Sequence, residues 1–249
     1  MRRWLGAALV VLAVGGCAGS VGGGRDLVVF AAASLTEAFG EVGMAFERRH
    51  PGVTVRFNFG PSDGLATQIR EGGPADVFAS ASRRWMDAVA DVRLLGRAVF
   101  ARNRLTVLVP RDNPAGISGI EDLARPGVRL VMAAPHVPAG EYGREALGKA
   151  GVLGPAEANV VSNEEDVKGV VQKVALGEAD AGIAYVTDVT EQVAADVRVV
   201  PIPDEVNVVA FYPIAALGTS AQPRLASQFV GFVLADGQAI LRGAGFLTP

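Results

Sequence analysis

Apolar positions recur along this chain at two alternating spacings, and together they predict a regular succession of strands and helices. Residues 27–31 form a continuous apolar run of the buried-strand type. Residues 35–49 carry Leu35, Ala38, Phe39, Val42 and Phe46 at helical spacing. Residues 53–59 alternate as a strand does, and 65–71 return to helical spacing. The pattern continues with strands at 75–79, 104–109, 128–132, 159–161, 181–186, 197–202 and 206–216. Helices are predicted at 83–89, 141–150, 164–176, 224–234 and 238–241. Such alternation predicts an α/β protein whose helices cover a largely parallel sheet. Residues 103–106 and 206–210 are candidate crossovers between two lobes.

Composition narrows the function classes. The 249 residues suffice for one domain or two small lobes with real cores. A formal net charge of −3 and no basic patch argue against a nucleic-acid partner. They also leave anion affinity to local dipoles rather than to net charge. Arg2 and Arg3 precede an apolar stretch at 5–14 that is too short to span a bilayer comfortably. Val14-Gly15-Gly16-Cys17 follows and resembles a bacterial lipobox, with an ordinary secretory signal as the alternative. Residues 1–16 are accordingly read as a lipoprotein signal peptide, Cys17 as the lipidation site and 17–25 as a flexible tether. Cys17 is the only cysteine, so neither a disulfide nor a Cys-based metal site can form within one chain.

Gly60-Pro61-Ser62-Asp63-Gly64 admits two readings. It lies between a predicted strand and a predicted helix and fits the G-x-S-x-G elbow of serine hydrolases. It also fits a helix start whose hydroxyl and free N–H groups hold an anion. A hydrolase needs an acid and then a histidine after Ser62. Only His136 follows, with Asp112 or Asp122 between, and no HGGG-like oxyanion loop is present. Other helix starts carry small or hydroxyl residues: Ser34 with Glu37 and Ser162 with Glu165 read as capping boxes, and 138–140 lead into the helix at Glu141. Caps of this kind are usually structural. Ser34 and Ser62 stand apart because both follow strand ends, where open α/β sheets bind ligands. His50 reads as a helix-end residue and His136 as a loop hydrogen-bonder. No H-E-x-x-H, P-loop or G-x-G-x-x-G pattern occurs.

Five segments, at 29–38, 73–80, 136–142, 165–168 and 181–186, resemble in order the periplasmic molybdate-binding proteins of ABC transporters. The similarity spans about 27–248. It implies an α/β fold of the periplasmic-binding-protein type, two lobes with a ligand cleft between them. By resemblance, lobe 1 combines 26–104 with 208–249, and lobe 2 is 105–207. The resemblance implies a site in which the hydroxyls of Ser34 and Ser62, the N–H groups of Ala139 and Val167 and the phenol of Tyr185 hold molybdenum as molybdate. It further implies no cofactor and no enzymatic activity. The chain would be an extracytoplasmic monomer, anchored to the membrane through Cys17, that passes molybdate or tungstate to an ABC permease. Sulfate or phosphate as ligand, and hydrolysis at Ser62, remain as alternatives. Pro61 and Asp63 depart from the serine run common at this loop: Pro61 removes a donor, and Asp63 is expected to point outward and stabilise the first helical turn.

Overall fold

A computed structural model of the chain describes residues 25–249. The leader 1–16, Cys17 and the tether as far as residue 24 lie outside the described residues. Among the described residues nine strands are formed: β1 (Arg25–Ala32), β2 (Val53–Gly60), β3 (Val77–Ala79), β4 (Leu94–Pro110), β5 (Leu130–Ala133), β6 (Val160–Glu164), β7 (Ala181–Tyr185), β8 (Val197–Pro201) and β9 (Val209–Leu217). The helices are α1 (Thr36–Arg49), α2 (Ser62–Arg70), α3 (Arg83–Asp87), α4 (Pro138–Lys149), α5 (Leu153–Ala158), α6 (Val167–Ala175), α7 (Pro223–Leu234) and α8 (Gly237–Gly243).

The strands run in the order β2-β1-β3-β9-β4-β7-β5-β6, and β8 pairs with β4 beside this path. The expectation of a largely parallel sheet is corrected. Pairs β1–β2, β1–β3, β5–β6 and β5–β7 are parallel. Pairs β3–β9, β4–β9, β4–β7 and β4–β8 are antiparallel. The reversal follows from β4 and β9, which carry the chain in opposite senses through the middle of the sheet. Along β4, Leu94–Arg104 pairs with β9, whereas Leu105–Leu108 pairs with β7. Asn207 pins the return path: its Oδ1 accepts from the Leu105 N–H at 3.1 Å and its Nδ2 donates to the Leu105 carbonyl at 3.0 Å. These bonds pair the Leu105 backbone groups with a side chain instead of a ladder partner on the returning segment, and β9 starts at Val209, later than the predicted 206.

Parallel register places the candidate site. Ala32 stands opposite Gly60, so β1 and β2 end together and deliver the turn at Ser34 and the start of α2 to one edge. Ala133 stands opposite Glu164, which brings the starts of α4 and α6 together in the same way. Behind these edges lies a core in which Phe39 packs against Phe100 and Phe229 and Phe46 packs edge-on to Phe229 and Phe232. Each such buried ring contributes roughly 1.5–3 kcal/mol of transfer free energy, which fixes the strand ends the site depends on.

Candidate ligand-binding site

Ser34 sits in a single 3-10 turn, Ala33–Leu35, and is buried. Its Oγ does not cap a helix, which corrects the capping-box reading; it lies 2.9 Å from the Tyr212 hydroxyl. Ser162 likewise caps nothing: it lies within β6, and its Oγ donates to Glu164 at 2.6 Å. Asp166 is the residue that caps α6, accepting from the Lys168 and Gly169 N–H groups at 2.8 and 3.1 Å. That arrangement leaves the N–H of Val167, the first residue of α6, outside both the cap and the helical ladder.

Ser62 opens α2, and its buried Oγ accepts from the Ala81 N–H at 3.0 Å. With its acceptor role taken by the backbone, the Ser62 hydroxyl keeps its own hydrogen for another partner. Ala139 is the second residue of α4, whose first helical bond runs from the Glu141 N–H to the Val137 carbonyl. No side chain caps this start, so the Ala139 N–H is also left over. Tyr185 ends β7, is 1% exposed, and its hydroxyl has no hydrogen-bond partner among the described residues. Burial, reinforced by the neighbouring Tyr212, holds its phenol well above the usual range, so it is a donor at any accessible pH.

Ser34, Ser62, Val167 and Tyr185 line one small cavity, and Pro138, next to Ala139, closes it. Ala139 itself is buried one residue further into α4. None of the residues lining the cavity is charged. Asp63 lies off this cavity, in line with the expected orientation away from it, but it is not solvent-facing: its side chain is only 15% exposed and places Oδ2 3.4 Å from His136 Nε2. His136 thus faces Asp63, while the partner of Ser62 Oγ is the Ala81 amide.

Beneath Tyr185, the buried carboxylate of Asp188 accepts from the Tyr185 N–H at 3.0 Å. Burial pushes the Asp188 carboxyl up to about 6, opposed by Lys168, whose Nζ is 3.5 Å away. Lys168 also bonds Glu37 at 2.8 Å. Sequence reasoning did not find Asn103, Asp188 or Tyr212. Tyr212 lies in an apolar strand and reads as core; the signal for it is that a buried phenol needs a partner.

The profile of the bacterial extracellular solute-binding proteins matches residues 27–247. The chain is 43% identical over 235 residues to the molybdate-binding protein ModA of Mycobacterium tuberculosis, covering 93% of this chain and 88% of that one. It is 34% identical to the Escherichia coli protein of the same name over 229 residues, 87% of each chain. The periplasmic molybdate-binding protein of Azotobacter vinelandii superposes with a TM-score of 0.77 at 22% identity, covering 90% of this chain and 99% of that one, and so shares the fold.

Proposed function

The chain belongs to the bacterial extracellular solute-binding proteins, among the ModA relatives, and from that premise we propose that it captures molybdate outside the cytoplasm and delivers it to an ABC importer. The observation that supports this reading best is the uncharged, donor-rich cavity. Two serine hydroxyls, the leftover N–H of Val167 and one partnerless phenol line it, and the start of α4 that carries the Ala139 N–H adjoins it through Pro138. A dianion held by such donors gains charge-assisted hydrogen bonds and the positive ends of α2, α4 and α6.

A donor-only pocket also discriminates. Molybdate, tungstate and sulfate carry no proton at neutral pH, whereas hydrogen phosphate does and needs an acceptor. In this reading Ser34, Ser62 and Tyr185 donate through hydroxyls, and Ala139 and Val167 through backbone N–H groups. Residues 26–104 with 208–249 form one lobe and 105–207 the other, and the anion draws them together because both supply donors. The protein acts as a monomeric binder rather than an enzyme, tethered to the membrane by a lipid on Cys17. Hydrolysis is disfavoured by the placement of His136 against Asp63 rather than Ser62.

Isothermal titration of the full chain in detergent micelles with molybdate, tungstate, sulfate and phosphate tests this. Tight binding of molybdate and tungstate with weak response to phosphate is expected. Preferential binding of phosphate would overturn the donor-only reading.

A further inference from the structure

The orientation of one buried amide fixes the direction of a hydrogen-bond chain that ends at Ser34. Asn103 is 1% exposed and lies on β4. Its Oδ1 accepts from the Arg104 backbone N–H at 2.9 Å. A backbone N–H can only donate, so this bond identifies the oxygen and turns Nδ2 the other way. Nδ2 then donates to Thr187 Oγ1 at 2.8 Å and, at 3.5 Å, faces the Tyr212 hydroxyl. An oxygen that receives an N–H directs its own hydrogen elsewhere. The remaining partner of the Tyr212 hydroxyl is Ser34 Oγ at 2.9 Å. Burial raises the Tyr212 phenol above its ordinary range, so it keeps that hydrogen throughout the accessible pH range. Ser34 Oγ is therefore an acceptor toward Tyr212, which leaves its own hydrogen free for the cavity it lines.

We propose that Tyr212, oriented by Asn103, is a positioning residue that locks the Ser34 hydroxyl as a donor and thereby carries part of the discrimination against protonated oxyanions. The inference rests on the oxyanion reading of the cavity and deepens it. Ser62 is locked in the same sense by a backbone amide, which no substitution of a side chain can remove; Ser34 alone depends on a side chain for its polarity. Without the Tyr212 hydroxyl, the Ser34 rotor is free to present its lone pair to the cavity and accept the proton of hydrogen phosphate.

The test is titration of the full chain in detergent micelles with molybdate, with and without millimolar phosphate as competitor, for wild type, Tyr212→Phe, Ser34→Ala and the double variant. Phenylalanine keeps the ring packing against Phe100, Tyr185 and Phe246. Tyr212→Phe is expected to weaken molybdate binding about 5- to 20-fold. Competition by phosphate should strengthen, so the molybdate-to-phosphate ratio falls. In the Ser34→Ala background the Tyr212→Phe effect should vanish, as it must when one residue acts through the other. Asn103→Ser, which withdraws the donor facing Tyr212, is the second variant and should lower the same ratio by a smaller factor. An unchanged molybdate affinity, an equal loss for both anions, or an undiminished effect in the Ser34→Ala background would each overturn the inference. Wild-type protein that binds no oxyanion would overturn the reading of the cavity as well; a responsive wild type with an unresponsive Tyr212→Phe would overturn the positioning role alone.

Discussion

A hydroxyl is useful to a bound dianion only when its hydrogen faces the ligand, and the neighbours of Ser62 and Tyr185 enforce this by different means. The Ala81 amide occupies the lone pair of Ser62, and burial leaves the Tyr185 phenol with nothing else to meet. Ser62→Ala should weaken molybdate binding by roughly 1–3 kcal/mol, since one donor to a charged acceptor is withdrawn. Calorimetry checks it, and an unchanged affinity removes Ser62 from the site. Tyr185→Phe should behave alike for binding. It should also raise the melting temperature of the ligand-free protein, because it deletes an unsatisfied buried oxygen. Asp188 sets a separate expectation. Its carboxyl is raised to about 6 from an ordinary 3.8, so the folded state holds a proton that the unfolded chain has released. The stability this confers is present below the unfolded value and is lost as pH rises through the folded one. Asp188→Asn should therefore gain stability relative to wild type as pH climbs from 3.8 to beyond 6. Urea denaturation of both proteins across that range measures the difference, and a difference that stays flat with pH would refute the buried-charge account.

At the scale of elements, the proposed site draws on the starts of α2, α4 and α6, and what matters is that the N–H groups of Ala139 and Val167 stay outside any cap, as Asp166 leaves Val167 by capping only Lys168 and Gly169. Gly140 shows how tightly the start of α4 is seated: a Cβ there would fall on the backbone carbonyl oxygens of Ala133 and Ala134. Gly140→Ala should displace the first turn that carries the Ala139 N–H. A stability loss of about 1–3 kcal/mol is expected, with weakened molybdate binding, because the obstruction is backbone and cannot rotate away. Thermal melting and calorimetry check the two effects. Much of this architecture was legible in the sequence, because strand and helix periods differ and the strand ends at 31 and 59 are sharply marked. Where the reading failed, a local feature broke the period. Residues 94–103 were not recognised as strand, because β4 carries register shifts between Leu95 and Ala98 and between Val99 and Ala101, and an irregular strand loses its two-residue alternation. Helix α5 was missed because Pro155 reads as a breaker, although it falls in the first turn, where its lost N–H costs nothing. Ser34 and Ser162 were read as caps because hydroxyl spacing alone does not say which partner the tertiary structure brings. Tyr212 comes to Ser34 across 178 residues of sequence.

At the scale of the whole molecule, polar contacts join the segment 26–104 to the segment 105–207 around the cavity. Trp85 Nε1 donates to the His136 carbonyl at 3.1 Å, Arg84 pairs with Glu141 at 3.3 Å, and Lys168 pairs with Glu37. In the two-lobe reading these contacts exist only when the cleft is closed, so they hold ligand in rather than admit it. Lys168 follows Val167, one of the proposed donors, which couples the grip on the anion directly to the Glu37 contact. Both side chains are partly exposed, 28% for Lys168 and 41% for Glu37, so the pair is worth about 0.2–1 kcal/mol after solvent screening. Glu37→Gln should therefore speed molybdate release by about 1.4- to 5-fold with little change in association, as a contact formed after encounter does. Trp85 is the one tryptophan in residues 18–249, and it stands at the same cleft, so its fluorescence follows closure. Stopped-flow mixing of molybdate-loaded protein with an excess of ligand-free Trp85→Phe protein, which takes up the released anion without contributing that signal, gives the release rate. A rate in Glu37→Gln equal to wild type would show that the Lys168–Glu37 pair is a surface contact without a part in retention. A higher rate that converges on wild type in high salt would identify the pair as an electrostatic latch, because screening removes the wild-type contact and leaves the variant unaffected.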